Sequence, residues 1–228
     1  MQKITLFIIP TLLLLTGASC VIPEKTHTTD NASNYNTVDL PVPALANSKP
    51  YESSSMGLRF QYPEKWEVVH ESEDAVSLQL TDNELIKQGT SAKDPNGIFF
   101  TLTVAKPGSY DHDLSLQRTK GTYHTPEEQK KRDAEHKASS FPQPVLAATS
   151  PVVIDKKEGY AYSVQVKPKS EEMPITELSR YYDGIEYYIP LENDAVLIVY
   201  ATVGYGANHD ALLSDVEAVV NTIQFQKE

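Results

Sequence analysis

The chain of 228 residues has one cysteine, Cys20, and one tryptophan, Trp66. A single thiol excludes an intramolecular disulfide and any metal site built from several cysteines. No apolar run reaches the roughly 20 residues of a membrane-spanning helix, and the longest, ITLFIIPTLLLL, is interrupted by Pro10. Basic residues are in the minority, with 20 Lys and Arg against 31 Asp and Glu, for a formal charge of −11. Phosphate backbones and anionic headgroups repel such a chain, so no nucleic-acid partner is expected. The patterns GxSxG, SxxK, HExxH and the P-loop are missing. Their absence removes the sequence marks of a serine hydrolase, a zinc hydrolase and a nucleotide-binding loop. No cofactor and no metal are expected.

What is present starts at the amino terminus. Lys3, the apolar run and the small-residue patch TGAS form the three parts of a secretory signal. A lone thiol can be a nucleophile, a buried hydrophobe or an attachment point. At the end of an export signal it does not sit in a folded pocket. The following VIPEKTHTTDN also lacks the basic cluster of a stop-transfer anchor. These residues resemble the lipobox of bacterial lipoproteins, with TGAS before Cys20 and no charge among the six preceding residues, although Gly17 stands where that family more often has leucine. The resemblance implies that Cys20 receives a diacylglyceryl group, that residues 1–19 are cleaved as a signal peptide, and that the new amino terminus is acylated. Each buried methylene contributes about 0.8 kcal/mol, so several chains hold a bilayer far better than one. The expectation is a lipid-anchored, extracytoplasmic protein on the cell membrane or outer membrane, with a plain cleaved signal as the alternative.

Residues 20–49 hold the lipidated cysteine and a Thr-, Asn- and Pro-rich stretch without apolar periodicity, read as a disordered tether. Stretched out, it reaches on the order of 100 Å, with a relaxed span of about 30 Å. From residue 50 to 228 the pattern is that of one domain. DAVSLQL, GIFFTLTVA and GYAYSVQV alternate as half-buried strands, LRFQYP and WEVVHE are shorter strands, and AVLIVYATV is apolar on both faces, as a central strand would be. IPLENDAVLIVY reads as a hairpin turning at Asn193-Asp194. NHDALLSDVEAVVNTI carries Leu212, Val216, Val219 and Ile223 on one stripe and should dock on the sheet, with Asn208 or Asp210 as cap. TPEEQKKRDAEHKASS opens with Thr125 as cap, Pro126 at the first helical position and Glu128 closing a capping box. It has almost no apolar face; Glu127–Lys131, Glu128–Arg132 and Asp133–Lys137 are its i,i+4 pairs. Residues 106–145 therefore read as a polar helical excursion from the core.

YESSSMGLRFQYPEKWEVV is similar to the opening of PsbP-like (Mog1/PsbP) domains: a strand, a glycine, an aromatic strand, then Tyr-Pro-x-x-Trp. DVEAVVNTIQF resembles their closing helix and short last strand. The resemblance implies an α+β fold, an antiparallel sheet flanked by helices in an α/β/α sandwich. It also implies a non-catalytic binding or accessory role. The alternative is an envelope hydrolase whose residues converge only in three dimensions, and a spacer without ligand also fits the tether.

Trp66 reads as a core anchor beside Phe60 and Tyr62 ahead of a binding platform. YDHD, with Asp111, His112 and Asp113, reads as a surface loop, since adjacent side chains of an extended backbone cannot grip one ion. Gly204 and Gly206 precede a helix and read as a strand-to-helix turn ahead of an anion site. SRYYDGIEYYIPL has four tyrosines within eight residues. Tyr182 and Tyr188 share one face of that strand and are the candidate partner-binding residues if the face is exposed; the other reading covers both faces with helices.

Overall fold

The computed structural model describes residues 45, 47–81, 94–138, 144–166, 180–206 and 208–226, without the side chains of residue 133 and residues 135–138. Cys20, the signal, most of the tether and the Asp133–Lys137 pair lie outside the described residues. The first strand, β1, runs Ser48–Ser53 and pairs antiparallel with β2, Leu58–Pro63, which also takes the short β10, Gln224–Phe225. A seven-stranded antiparallel sheet carries the rest. Its strands are β3 (Glu67–Glu71), β4 (Ala75–Leu80), β5 (Ile98–Ala105), β6 (Val145–Ile154), β7 (Lys157–Val166), β8 (Tyr182–Pro190) and β9 (Val196–Gly204), in the order β3-β4-β5-β9-β8-β7-β6.

The centre of that order is β9, whose residues are apolar on both faces, as the continuous run AVLIVYATV requires. It turns back from β8 through Asn193 and Asp194, both at positive φ (55° and 57°), a conformation that Asn and Asp tolerate better than most side chains. Three helices complete the described part: α1 (His112–Arg118), α2 (Pro126–Ala138) and α3 (His209–Asn221). On one face of the large sheet lie α3 and the β1-β2-β10 sheet, around a core of Phe60, Trp66, Phe100, Leu197, Val199 and Val216. On the other face α1 covers a smaller cluster of Tyr123, Tyr162, Val164, Tyr188 and Val196. The fold is thus α+β, an antiparallel sheet with helices on both faces. No described helix is long and apolar enough to cross a membrane.

Trp66 is 1% exposed, its ring 5.7 Å from that of Phe100. The capping box forms: the Thr125 amide donates to Glu128 Oε2 at 2.8 Å, and the Glu128 amide donates to Thr125 Oγ1 at 3.3 Å. The amide and hydroxyl of Thr125 hold the Glu128 carboxyl below its ordinary pKa. This cap is therefore in place above the usual carboxylate range and is lost as the pH falls through the lowered value.

Two elements differ from the sequence reading. YDHD is not an extended loop: Asp111 caps α1, and His112 is 7% exposed, with Nε2 2.6 Å from the Asp194 carbonyl oxygen. The excursion is therefore fastened to the sheet through α1 before it departs in α2. The second difference is β6, ten residues without a charge and exposed nearly throughout, which forms one edge of the sheet among the described residues. Lacking alternation between buried and exposed positions, it carries no period-two signal.

Candidate functional site

The face of the large sheet that carries α3 is not covered to its edge. The helix packs on β2 and β9. Beyond it, β7 presents Gly159, Ala161 and Ser163 on that face, while its bulky Tyr160, Tyr162 and Val164 point to the other. Glycine is required at 159, where a Cβ would collide with the Tyr188 carbonyl and Ile189. These small side chains leave a groove of about 580 Å³ between α3 and strands β6, β7 and β8, within the size range of small-molecule sites. Its floor is apolar, through Val152, Ala161, Ile185, Leu213 and Val220; its polar groups are Ser163, Gln165, Asp183, Tyr187, Glu217 and Asn221. Burial, and after it Glu217, pushes the pKa of the Tyr187 hydroxyl above its ordinary range, so it stays protonated. The signal for this groove in the sequence is the small-residue row opposite the tyrosines of β7.

Asp183 at one end of the groove is 7% exposed and fully engaged. Tyr205 donates to its Oδ1 at 2.7 Å, and His209 Nε2 lies 3.0 Å from its Oδ2, off the line needed for a good hydrogen bond. The His209 ring stacks on Tyr205 at 4.7 Å, and its Nδ1 lies 3.2 Å from Asp210 Oδ1. A carboxylate thus faces each ring nitrogen. Gly204 and Gly206 sit close against the backbone of Asp94 and Pro95 and the side chain of Asn96, where any Cβ would clash. That close approach accounts for both glycines as a turn.

On the opposite face Glu186, 9% exposed, accepts from Arg118 Nη1 at 3.1 Å, from the Tyr188 hydroxyl at 2.6 Å and from the Tyr123 hydroxyl at 2.9 Å. Arg118 Nη1 also donates to Tyr188 Oη, and the guanidinium lies 4.3 Å from the centre of the Tyr123 ring. Burial works against the Arg118 charge, but Tyr188, Glu186 and Tyr123 outweigh it and raise its pKa. Tyr188 is thus 4% exposed beneath α1, and the exposed aromatic area read from the sequence is absent at that position. Tyr182 lies on the same face of β8 and is half-buried. Sequence reasoning placed the tyrosines on the right faces but had no view of α1, which covers one of them.

Buried tyrosines give the molecule a titration signature. Burial, followed by Glu186, raises the pKa of Tyr123 and Tyr188, and burial is also the leading cause at Tyr200 and Tyr205. Such groups contribute stability that is full below the ordinary value of about 10 and is lost as the pH climbs toward the raised values. In an alkaline titration, tyrosinate absorbance from these residues is expected to appear together with the loss of circular dichroism. Ionisation of all 13 tyrosines near pH 10 with the fold intact would show that these rings are not held in the network.

No known family's sequence profile matches the chain, and no curated protein matches it. Solved structures do. The solution structure of cyanobacterial PsbP (CyanoP) from Synechocystis sp. PCC 6803 is 12% identical, with a TM-score of 0.40 over 80% of this chain and 95% of its own. Mog1 is 8% identical, with a TM-score of 0.42 over 79% of this chain and 96% of its own. A crystal structure from Bacteroides thetaiotaomicron VPI-5482 is 14% identical, with a TM-score of 0.44 over 80% of this chain, and this chain spans half (50%) of its length.

Proposed function

We propose that this chain is a bacterial lipoprotein, anchored outside the cytoplasm through lipid on Cys20, whose PsbP-like domain is a non-catalytic binding module using the groove beside α3. The observation that carries the binding reading is the set of unused polar groups in that groove. Among the described residues Ser163, Gln165, Tyr187, Glu217 and Asn221 make no side-chain hydrogen bond or ion pair. Groups of this kind in a concave apolar site are the usual means of orienting a ligand. The anchor rests on the TGAS patch and the position of the single thiol.

Two substitutions test the two halves separately. Cys20→Ser is expected to move the protein from the membrane pool to the soluble pool, with the mass of the lipid lost. A Cys20→Ser chain that stays on membranes at unchanged mass refutes the anchor. Ala161→Phe places a ring in the groove while leaving the other face of β7 untouched. Native mass spectrometry of protein taken from envelope extracts should show a bound mass in the parent chain that the variant lacks. Identical spectra for the two would remove the groove as the binding site.

A further inference from the structure

The groove is one-sided in charge. Among the described residues its lining includes two carboxylates, Asp183 and Glu217, and no lysine, arginine or histidine. Asp183 is already engaged by Tyr205 and His209. Glu217 is not, for it has no hydrogen bond or ion pair among the described residues. Tyr187, on the facing strand, is 8% exposed, and its hydroxyl likewise has no hydrogen-bond partner there. The side chain is enclosed but its hydroxyl is not: the atom opens into the groove. The hydroxyl lines the groove together with the exposed carboxylate of Glu217. A group that donates to both oxygens and carries positive charge completes this arrangement.

We propose that the groove binds an amphipathic organic cation, a protonated amine or guanidinium that donates to Glu217 and to the Tyr187 hydroxyl while its apolar body lies along Val152, Ile185 and Leu213. This rests on the reading of the groove as the ligand site. An anionic ligand is disfavoured, because both carboxylates repel it and no cation among the described lining residues receives it. A purely apolar ligand would leave the Glu217 and Tyr187 oxygens desolvated and unpaired, which costs affinity. The cation has two sources, a free small amine or the side chain of a lysine or arginine on a polypeptide, and both present the same chemistry.

The test uses the full chain carrying Cys20→Ser, which is free of lipid, titrated with hexylammonium, hexanol and hexanoate and followed by amide shifts along β7, β8 and α3. Hexylammonium is expected to bind about tenfold more tightly than the other two, the usual scale of one charge-assisted hydrogen bond. Glu217→Gln should lose about that tenfold and Tyr187→Phe about threefold. Glu67→Gln on β3, the far edge of the sheet, should change nothing. A lysine-containing leucine hexapeptide distinguishes the sources: tighter binding than hexylammonium identifies a polypeptide, weaker binding a free amine. Equal affinity for the three hexyl compounds, or an equal loss in Glu67→Gln and Glu217→Gln, overturns the cation while leaving the groove as an apolar site. No groove shifts with any of the probes would overturn the groove reading itself.

Discussion

Arg118→Met is expected to destabilise the domain by about 3–5 kcal/mol, the cost of leaving a buried charge without its partner. The side chains of Arg118 and Glu186 are only 12% and 11% exposed, so the carboxylate left behind could not recover its hydration. Two tyrosine hydroxyls would still donate to it, which places the loss within that range rather than beyond it. Arg118→Met combined with Glu186→Gln is expected to recover most of the loss, since a buried pair replaced as a unit is often close to neutral. Thermal unfolding of the two single variants and the double variant measures the coupling. A single-variant loss within about 0.5 kcal/mol, typical of surface changes, would mean that α1 is not held by this pair.

Trp66→Ala is the second large effect, expected at about 3–5 kcal/mol. The ring is fully enclosed, against Phe100 and near Phe60, at the junction of the small sheet with the large one. Its indole nitrogen has no hydrogen-bond partner among the described residues, so the loss is one of packing and not of a polar contact. Trp66→Phe, which keeps a ring and removes the unpaired donor, should cost less than half as much. For a domain of this size each kcal/mol lowers Tm by about 2–4 °C. The alanine variant should therefore melt on the order of 10 °C lower when followed by circular dichroism. An unchanged Tm would show that the two sheets are not joined through this ring.

The elements legible in the sequence are those whose pattern is local. β9 reads as a central strand because both faces of AVLIVYATV are apolar, and α3 reads as a docking helix from the stripe of Leu212, Val216 and Val219. Thr125, Pro126 and Glu128 mark the start of α2 within four residues. The parts that escaped depend on residues brought together from afar. Arg118 and Glu186 are 68 positions apart, and nothing local to either says that they meet. The strand pattern leaves the Tyr188 face either exposed or covered, and α1, which covers it, is short and begins in the polar run YDHD. The groove is legible only in part: the small residues of β7 are visible, but the void appears once α3 is seen to stop short of them.

The outer edge of β6 has a consequence for how copies of the chain behave together. Ten uncharged residues along a sheet edge invite another strand to pair with them, and tethering on a surface would raise the local concentration at which they meet. The strand resists in two places. Pro151 has no amide hydrogen to offer, and on an edge strand the missing donor belongs to the row that faces outward. A shift of register between Leu146 and Ala148 bends the strand near its other end. The opposite edge, β3, needs less of this, being five residues long with Glu67 and Glu71 at its ends. Among the described residues the two edges of the sheet are thus blunted differently, one by charge and brevity, the other by a proline and a bend.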